Sequence, residues 1–264
     1  MATPKDFGFT EDISMLKDTF AKFLSEQKTI ENLRPSLKGT EDPYHGDRRS
    51  AFYDTHSWQQ TVELGIHAVS IPEDQGGIGM GLVAATAIAE EIRRYALATP
   101  LTSTLLATFL LRAVDTPEGN ALLESMAGGT RVGLALYGED ASLEGDSADV
   151  RVEDGKLQGQ SWYVTDAQKS ELLIVAAESP DGIDLYQVDC QSANIRLLDD
   201  RIVDLTRDQA RIQFDGAEAQ ALTTSGQGLS SLQKALPALL TLTAADIAGA
   251  AEWQLQTTAE YAKV

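Results

Sequence analysis

The chain has 264 residues, of which 43% are hydrophobic, and carries a formal net charge of −19 at pH 7. This length and composition predict a globular protein with one large domain or two ordinary ones. The charge argues against nucleic-acid binding, which needs a basic surface to displace counterions from phosphates, and indicates a solvated acidic surface instead.

Targeting signals are absent from the sequence as it stands. No uninterrupted apolar run approaches the ~20 residues that a bilayer span requires, and residues 1–18 lack the basic start and apolar core of a signal peptide. Cys190 is the only cysteine, so no internal disulfide is possible, which fits a reducing compartment. We therefore expect a cytoplasmic protein that does not enter a membrane.

Residues 1–129 are predicted to form an N-terminal all-helical domain. Apolar residues recur at helical spacing from Ile13 to Leu24, and Thr10 is placed to cap this helix. A second helical pattern runs from about Arg48 to Leu64. Three further helices are predicted, one with Ala84, Ile88, Ile92 and Tyr95 on one face, a nearly all-apolar one opened by Pro100, and a short one opened by Pro117.

A glycine-rich loop between two of these helices matches the dinucleotide-binding pattern G-x-G-x-x-A through Gly79, Gly81 and Ala84. A dinucleotide site also requires a strand before the loop and an acidic residue on a second strand some ~20 residues later. Only residues 67–71, HAVSI, could be a short strand, and no Asp or Glu lies between Ile92 and Val114. We therefore interpret the glycines as shaping a tight loop between helices.

Residues 130–226 are predicted to form a middle β domain. Seven short β-branched or alternating runs follow one another, separated by turn signals at Asp154-Gly155, Pro180-Asp181-Gly182 and Asp215-Gly216. This pattern predicts a compact β-barrel or sandwich.

Residues 227–264 read as one long helix that contains Pro237. It has no glycine cap and no proline stop before Val264, so we expect the sequence to break off within this helix and to expose its apolar side.

Four segments resemble, in order, motifs of the acyl-CoA dehydrogenase family, flavoenzymes that introduce an α,β double bond into acyl-CoA thioesters. They are LGIHAVSIPEDQGGIGMG (64–81), DGKLQGQSWYVTDAQKSELLIVAA (154–177), VDLTRDQARIQFDGAEA (203–219) and AADIAGAAEWQLQTTAEYAKV (244–264). The resemblance implies an α+β multidomain fold with an N-terminal all-α domain, a middle β-barrel and the start of a C-terminal helical bundle. It also implies FAD between the barrel and the bundle.

Two strands are implied as FAD contacts by this resemblance. The run SWYVT matches the family's aromatic-Ile-Thr motif, so Tyr163, Val164 and Thr165 are assigned to the flavin. The alternative is a strand whose aromatic residue packs the barrel core.

The other implied strand, LALYGEDASLEGD, departs from the family pattern A-x-T-E-P-x-x-G-S-D. Tyr137 stands where threonine is usual, and the proline is missing. The match still places Leu136 and Tyr137 at the flavin and Ser142 near the CoA. A bulky Tyr137 could fill the flavin edge, alter the substrate size limit, or indicate that this subunit does not hold FAD in the usual way.

The sequence offers no candidate catalytic base. Proton abstraction α to a thioester carbonyl needs a positioned carboxylate, which most family members carry in the bundle beyond Val264. A minority carry it at a position that corresponds to about Leu239, and no acid lies between Gly226 and Thr243. Glu90 and Glu91 are neighbours on a helix and point in different directions, so we interpret them as a solvated face.

Two other groups of residues are read as structural. His45, His56 and His67 lack the spacing of metal ligands, so no metal site is expected. Asp204, Arg207 and Arg211 lie near the strand that the family places beside the acyl-CoA entrance, but surface ion pairs explain them equally well.

The first functional hypothesis is an FAD-dependent acyl-CoA dehydrogenase, or a long fragment of one, in fatty-acid or steroid catabolism. The resemblance implies electron transfer to an electron-transferring flavoprotein and a homo- or hetero-oligomer, dimer or tetramer. The alternatives are a non-catalytic partner subunit of a heteromeric dehydrogenase and an acyl-CoA-binding module without redox activity.

Overall fold

A computed structural model describes residues 8–27, 55–142, 148–200, 202–204 and 206–263. Its helices are α1 (Glu11–Gln27), α2 (Thr55–Glu63), α3 (Leu82–Arg94), α4 (Leu101–Val114), α5 (Pro117–Ala127) and α6 (Gly228–Tyr261). Its strands are β1 (Val132–Ala135), β2 (Val150–Glu153), β3 (Lys156–Thr165), β4 (Leu172–Ser179), β5 (Gly182–Asp189), β6 (Ile195–Asp199), β7 (Gln209–Glu218) and β8 (Gln220–Ala221). The predicted α+β order of helices, sheet and terminal helix is confirmed, while the domain bounds stay predictions.

The helix ends follow the capping residues seen in the sequence. The amide of Ile13 donates to Thr10 Oγ1 at 3.3 Å, which confirms the cap of α1. Thr116 caps α5 by accepting from the amide of Gly119 at 3.1 Å. The second predicted helix is described only from Thr55 onward, and its earlier part lies outside the described residues.

The glycine-rich loop joins α2 to α3, as predicted, but the segment HAVSI is not a strand. Residues Ile66–Ala68 form a short 3-10 helix instead, because the loop folds back and its amides satisfy the neighbouring carbonyls. The amide of Met80 donates to the carbonyl of Val69 at 2.9 Å. Gly79 has φ of 75°, and a Cβ at Gly77 would overlap the main chain of Ile71.

The middle region is an eight-stranded sheet with the order β6-β7-β3-β2-β4-β5-β8, and β1 pairs in parallel with β4. The turn at Asp154-Gly155 separates β2 from β3, as predicted. β3 passes through Gly159 without a turn, because Gly159 continues the ladder with β7. The interior of the sheet contains Val150, Leu157 and Phe214.

The start of α6 is fixed against β5. The buried carboxylate of Asp184 accepts from the amides of Gly226 at 3.0 Å and Gln227 at 3.2 Å. Further along, α6 crosses α3 so closely that a Cβ at Gly249 would overlap the carbonyl oxygen of Glu90. The first half of α6 is therefore part of the protein core.

Residues 251–261 of α6 are exposed throughout. Large apolar side chains are also exposed along the helix, namely Leu240, Ile247, Trp253, Leu255 and Tyr261, which agrees with the exposed apolar side expected from the sequence. By length and composition α6 could cross a membrane, a test that core helices of soluble proteins also pass. The absence of a membrane segment therefore stays a prediction.

The interpretation of Glu91 as solvated is wrong. Its side chain is 1% exposed because α1 packs over this side of α3. One carboxylate oxygen lies 3.6 Å from both Lys17 Nζ and a terminal guanidinium nitrogen of Arg94. Burial raises the pKa of Glu91 although both cations oppose the shift. Its neighbour Glu90 is partly exposed and pairs with Lys17.

Candidate functional site

A β-bulge interrupts the pairing of β3 with β7 near the end of β3. Ser161 pairs with Ile212 and Val164 pairs with Ala210, so two residues of β3 stand opposite one residue of β7. Tyr163 lies in this bulge with φ of 56°, a left-handed conformation that strains a bulky side chain. Bulges and such strain concentrate next to functional sites, because they re-aim a side chain.

The bulge turns the Tyr163 side chain outward, and 40% of it is exposed. Its hydroxyl donates to the carbonyl of Glu139 at 3.0 Å, in the segment that follows β1. The neighbouring ring of Trp162 is covered by the guanidinium of Arg211, 4.9 Å from the ring centre. An aromatic ledge with one stacked cation therefore lies on the surface at the end of β3.

The two strands implied as flavin contacts lie side by side. The amide of Trp162 donates to the carbonyl of Tyr137 at 2.9 Å, and Ser161 Oγ donates to the same carbonyl at 3.2 Å. The structure thus brings the run from Leu136 to Tyr137 next to the run from Tyr163 to Thr165.

Their side chains differ in accessibility. Val164 is fully buried in the interior of the sheet, so any cofactor contact by this residue comes from its main chain. Leu136 is 7% exposed and half-buried Tyr137 packs against the large core, where burial raises the pKa of its phenol. Thr165 is half-buried at the edge of the ledge. Ser142 lies farther along the segment after β1, and residues 143–147 beyond it are not described.

The turn after Thr165 contains a buried ionic cluster that the sequence did not reveal. Lys169 is almost fully buried between the carboxylates of Asp166, at 3.0 Å, and Asp208, at 2.9 Å. Ser103 of α4 donates to the other oxygen of Asp166 at 2.6 Å. The three-residue spacing of Asp166 and Lys169 is visible in the sequence. No neighbouring residue indicates that Ser103 or Asp208 would join them.

A second ionic network joins α3, α6 and the loop between β6 and β7. Arg93 binds Asp204 and donates to Thr206 Oγ1 at 2.9 Å, and Arg207 binds the buried carboxylate of Asp246. For Asp204 and Arg207, this geometry supports the interpretation as ion pairs.

Other reactive groups in the described residues are engaged or buried. Leu239, the position where a minority of the family carries the base, is 9% exposed, and the first acid of α6 is the ion-paired Asp246.

His67 is buried with Nε2 at 3.0 Å from the carbonyl of Ala127, while His45 lies outside the described residues. Burial raises the pKa of the Cys190 thiol to about 12. In the described part of the chain, no group of three or more His, Cys, Asp or Glu side chains converges as a metal site would require.

Residues 10–129 match the N-terminal domain of acyl-CoA dehydrogenases. The acyl-CoA dehydrogenase IpdE2 of Mycobacterium tuberculosis is 28% identical over 254 residues, which cover 96% of this chain and 64% of the relative. A solved structure described as the Tcur3481-Tcur3483 steroid ACAD G363A variant superposes with a TM-score of 0.80 at 24% identity, over 95% of this chain and 66% of that one. The match of the N-terminal region, the sequence relatives and the fold all support the acyl-CoA dehydrogenase family.

Two further proteins match in the same way. The mitochondrial isovaleryl-CoA dehydrogenase of Pongo abelii is 26% identical over 65% of this chain and 40% of its own length. The crystal structure of the ChsE4-ChsE5 complex from Mycobacterium tuberculosis shares the fold, with a TM-score of 0.76 and 22% identity over 98% of this chain and 68% of that one. The chain spans between two fifths and two thirds of the curated relatives named here.

Proposed function

We propose that this chain forms the flavin-binding part of an FAD-dependent acyl-CoA dehydrogenase that oxidises an acyl-CoA thioester. The observation that carries the proposal is the strained bulge of β3, which presents Tyr163 on the surface beside Thr165. A left-handed conformation of an aromatic residue costs free energy and persists only where the surrounding structure imposes it. Such strained residues cluster at active sites and ligand-binding sites. The similarity to acyl-CoA dehydrogenases supplies the chemistry that this position would serve.

The residues of the ledge fit a flavin ring. Tyr163 offers an exposed aromatic face, Thr165 offers a hydroxyl beside it, and the main chain of Val164 lies between them on a buried strand. The hydrogen bond from Tyr163 to the carbonyl of Glu139 fixes the aromatic ring in place. When bound, FAD would accept a hydride from the β carbon of the thioester.

The proton at the α carbon needs a carboxylate that the described part of α6 does not offer. No acid lies between residues 228 and 243, and Asp246 is held in ion pairs. The described part of α6 therefore offers no candidate for the catalytic base.

A second candidate function is that of a partner subunit in a heteromeric dehydrogenase. Tyr137 in place of the usual threonine, packed against the core, favours it. Two structures that share the fold carry names with two components, Tcur3481-Tcur3483 and ChsE4-ChsE5. In either role we expect a cytoplasmic oligomer that passes electrons to an electron-transferring flavoprotein. A steroid-derived acyl-CoA is the first substrate to test, because the Tcur3481-Tcur3483 structure is described as a steroid ACAD.

Purified protein distinguishes these functions. Yellow flavin absorbance that bleaches when a steroid-derived or fatty acyl-CoA is added supports the dehydrogenase. Colourless protein that becomes active only with a second chain supports the partner subunit. Thioester binding without flavin in any combination of chains contradicts both and leaves a binding module.

A further inference from the structure

The ionic cluster behind the β3 bulge is buried and almost completely hydrogen-bonded. The ammonium of Lys169, whose side chain is 1% exposed, lies between Asp166 and Asp208. Ser103 Oγ donates to Asp166 at 2.6 Å, and the amide of Gln168 donates to Asp208 at 3.0 Å. The cluster therefore ties together α4, the turn after β3 and the start of β7.

Stability alone is a weak reason for such a cluster. The desolvation of buried ion pairs cancels much of their attraction, and well-packed apolar replacements are often equally stable. Burial lowers the pKa of Lys169, but the two carboxylates outweigh it and raise the pKa overall, so the ammonium stays charged. Burial also raises the pKa of Asp208 although Lys169 opposes the shift, so a cluster of one cation and two carboxylates is costly to bury and calls for a role beyond packing.

The position of the ionic cluster next to Thr165 indicates what this role is. Asp166 directly follows Thr165 and has φ of 56°, a second left-handed residue next to the bulge. Its amide donates to the carbonyl of Asp208 at 3.1 Å, and its carbonyl accepts from Ser170 Oγ at 2.8 Å. Ser103 Oγ also lies 3.5 Å from the carbonyl of Thr165. Both the main chain and the carboxylate of Asp166 are thus fixed, and Thr165 is one peptide bond away.

We propose that Lys169 is a positioning residue, which acts through Asp166 to hold the main chain of Thr165 in the orientation that binds the flavin. The proposal rests on the proposed function, since it concerns the same ledge. Lys169 touches neither flavin nor substrate in this account. Its effect is transmitted through one ion pair and one peptide bond.

Three variants of the flavin-loaded protein test the proposal. Lys169→Met removes the cation and leaves two carboxylates facing each other. The double variant Lys169→Met with Asp208→Asn removes one carboxylate together with the cation, so that no two carboxylates are left facing each other. Ser103→Ala keeps every charge and removes only the hydrogen bond to Asp166. Glu91→Gln is the matched control, because it alters a buried ion-paired carboxylate in the helical region.

The measurements are the flavin dissociation constant, the visible flavin spectrum and the melting temperature. We expect the double variant to bind flavin at least about tenfold more weakly and with a shifted spectrum. Ser103→Ala should weaken binding about threefold. Glu91→Gln should leave both flavin readouts unchanged. A purely structural cluster would lower the melting temperature without changing the spectrum of the flavin that remains bound.

The experiment distinguishes failure of the positioning role from failure of the proposed function. If the double variant and Ser103→Ala bind flavin with the affinity and spectrum of the wild type, the positioning role is wrong while the proposed function stands. If the wild type takes up no flavin alone or with a partner chain, the proposed function fails and the positioning role fails with it.

Discussion

The ends of β1 and β3 lie side by side, yet they are held in different ways. After β1, Tyr137 is half-buried and packs against the large core of helices and sheet. In β3, Tyr163 is exposed in a left-handed bulge, with a buried ionic cluster directly behind the next turn. Core packing accounts for the position of Tyr137, whereas the pairing of β3 with β7 holds Tyr163 in a strained and exposed conformation. From this comparison we propose that β3 presents the cofactor ledge and that β1 supports it.

The largest loss of stability is expected at the contacts that join the ends of β1 and β3. Gly159 has φ of 116°, and a Cβ there would overlap the carbonyl oxygen of Asp149, whose carboxylate accepts from the amide of Glu139 after β1 at 2.8 Å. Gly159→Val should lower the free energy of unfolding by more than about 2 kcal/mol, because backbone strain and a clash with main chain add. Chemical denaturation measures this loss.

Gly182→Val is the control for that change. Gly182 has φ of 125° with nothing within 4 Å of a built Cβ, so it carries the strain without the clash. If the two variants lose equal stability, the close approach of β2 to β3 does not hold the two ends together.

A change in flavin affinity is expected at the bulge itself. Tyr163→Gly removes the aromatic face and relieves the left-handed strain, so we expect weaker flavin binding by about tenfold or more together with a gain in stability of about 1 kcal/mol. Titration of the apoprotein with FAD and denaturant unfolding measure the two effects. Asp154→Gly relieves the same kind of strain, at φ of 50° in a distant turn, and should gain stability without changing flavin affinity. If Tyr163→Gly bound flavin with unchanged affinity, the strained conformation of Tyr163 would serve a purpose other than cofactor binding.

The smallest effect on the cofactor is expected after β1. Tyr137→Leu keeps an apolar side chain against the core, so it should lower stability by only about 1 kcal/mol and leave flavin affinity within about twofold of the wild type. A loss of affinity as large as that of Tyr163→Gly would show that both strand ends contact the flavin equally and would remove the distinction between them.

The sequence predicted most of the local structure and little of the site's support. Thr10 and Pro117 mark helix starts through their own main-chain neighbours, so short-range patterns locate them. The 3-10 geometry at Ile66–Ala68 was not predicted, because the contacts that set it come from the loop that follows. Glu91 was misread because its burial depends on α1.

The ionic cluster shows the limit most clearly. Ser103 and Asp166 are 63 residues apart, and no periodic pattern links a serine on an apolar helix to an aspartate after a strand. Only the packing of α4 against the sheet brings them together. The left-handed bulge at Tyr163 is equally invisible in the sequence, because bulky residues disfavour that conformation and only the pairing with β7 imposes it.

The most direct test is a crystal structure of the protein with bound FAD. The account predicts an isoalloxazine ring in contact with Tyr163 and within hydrogen-bonding distance of Thr165, with the ionic cluster of Lys169 unchanged behind it. A flavin seated away from the β3 bulge, or a ring that touches only the side chain of Tyr137, would contradict it.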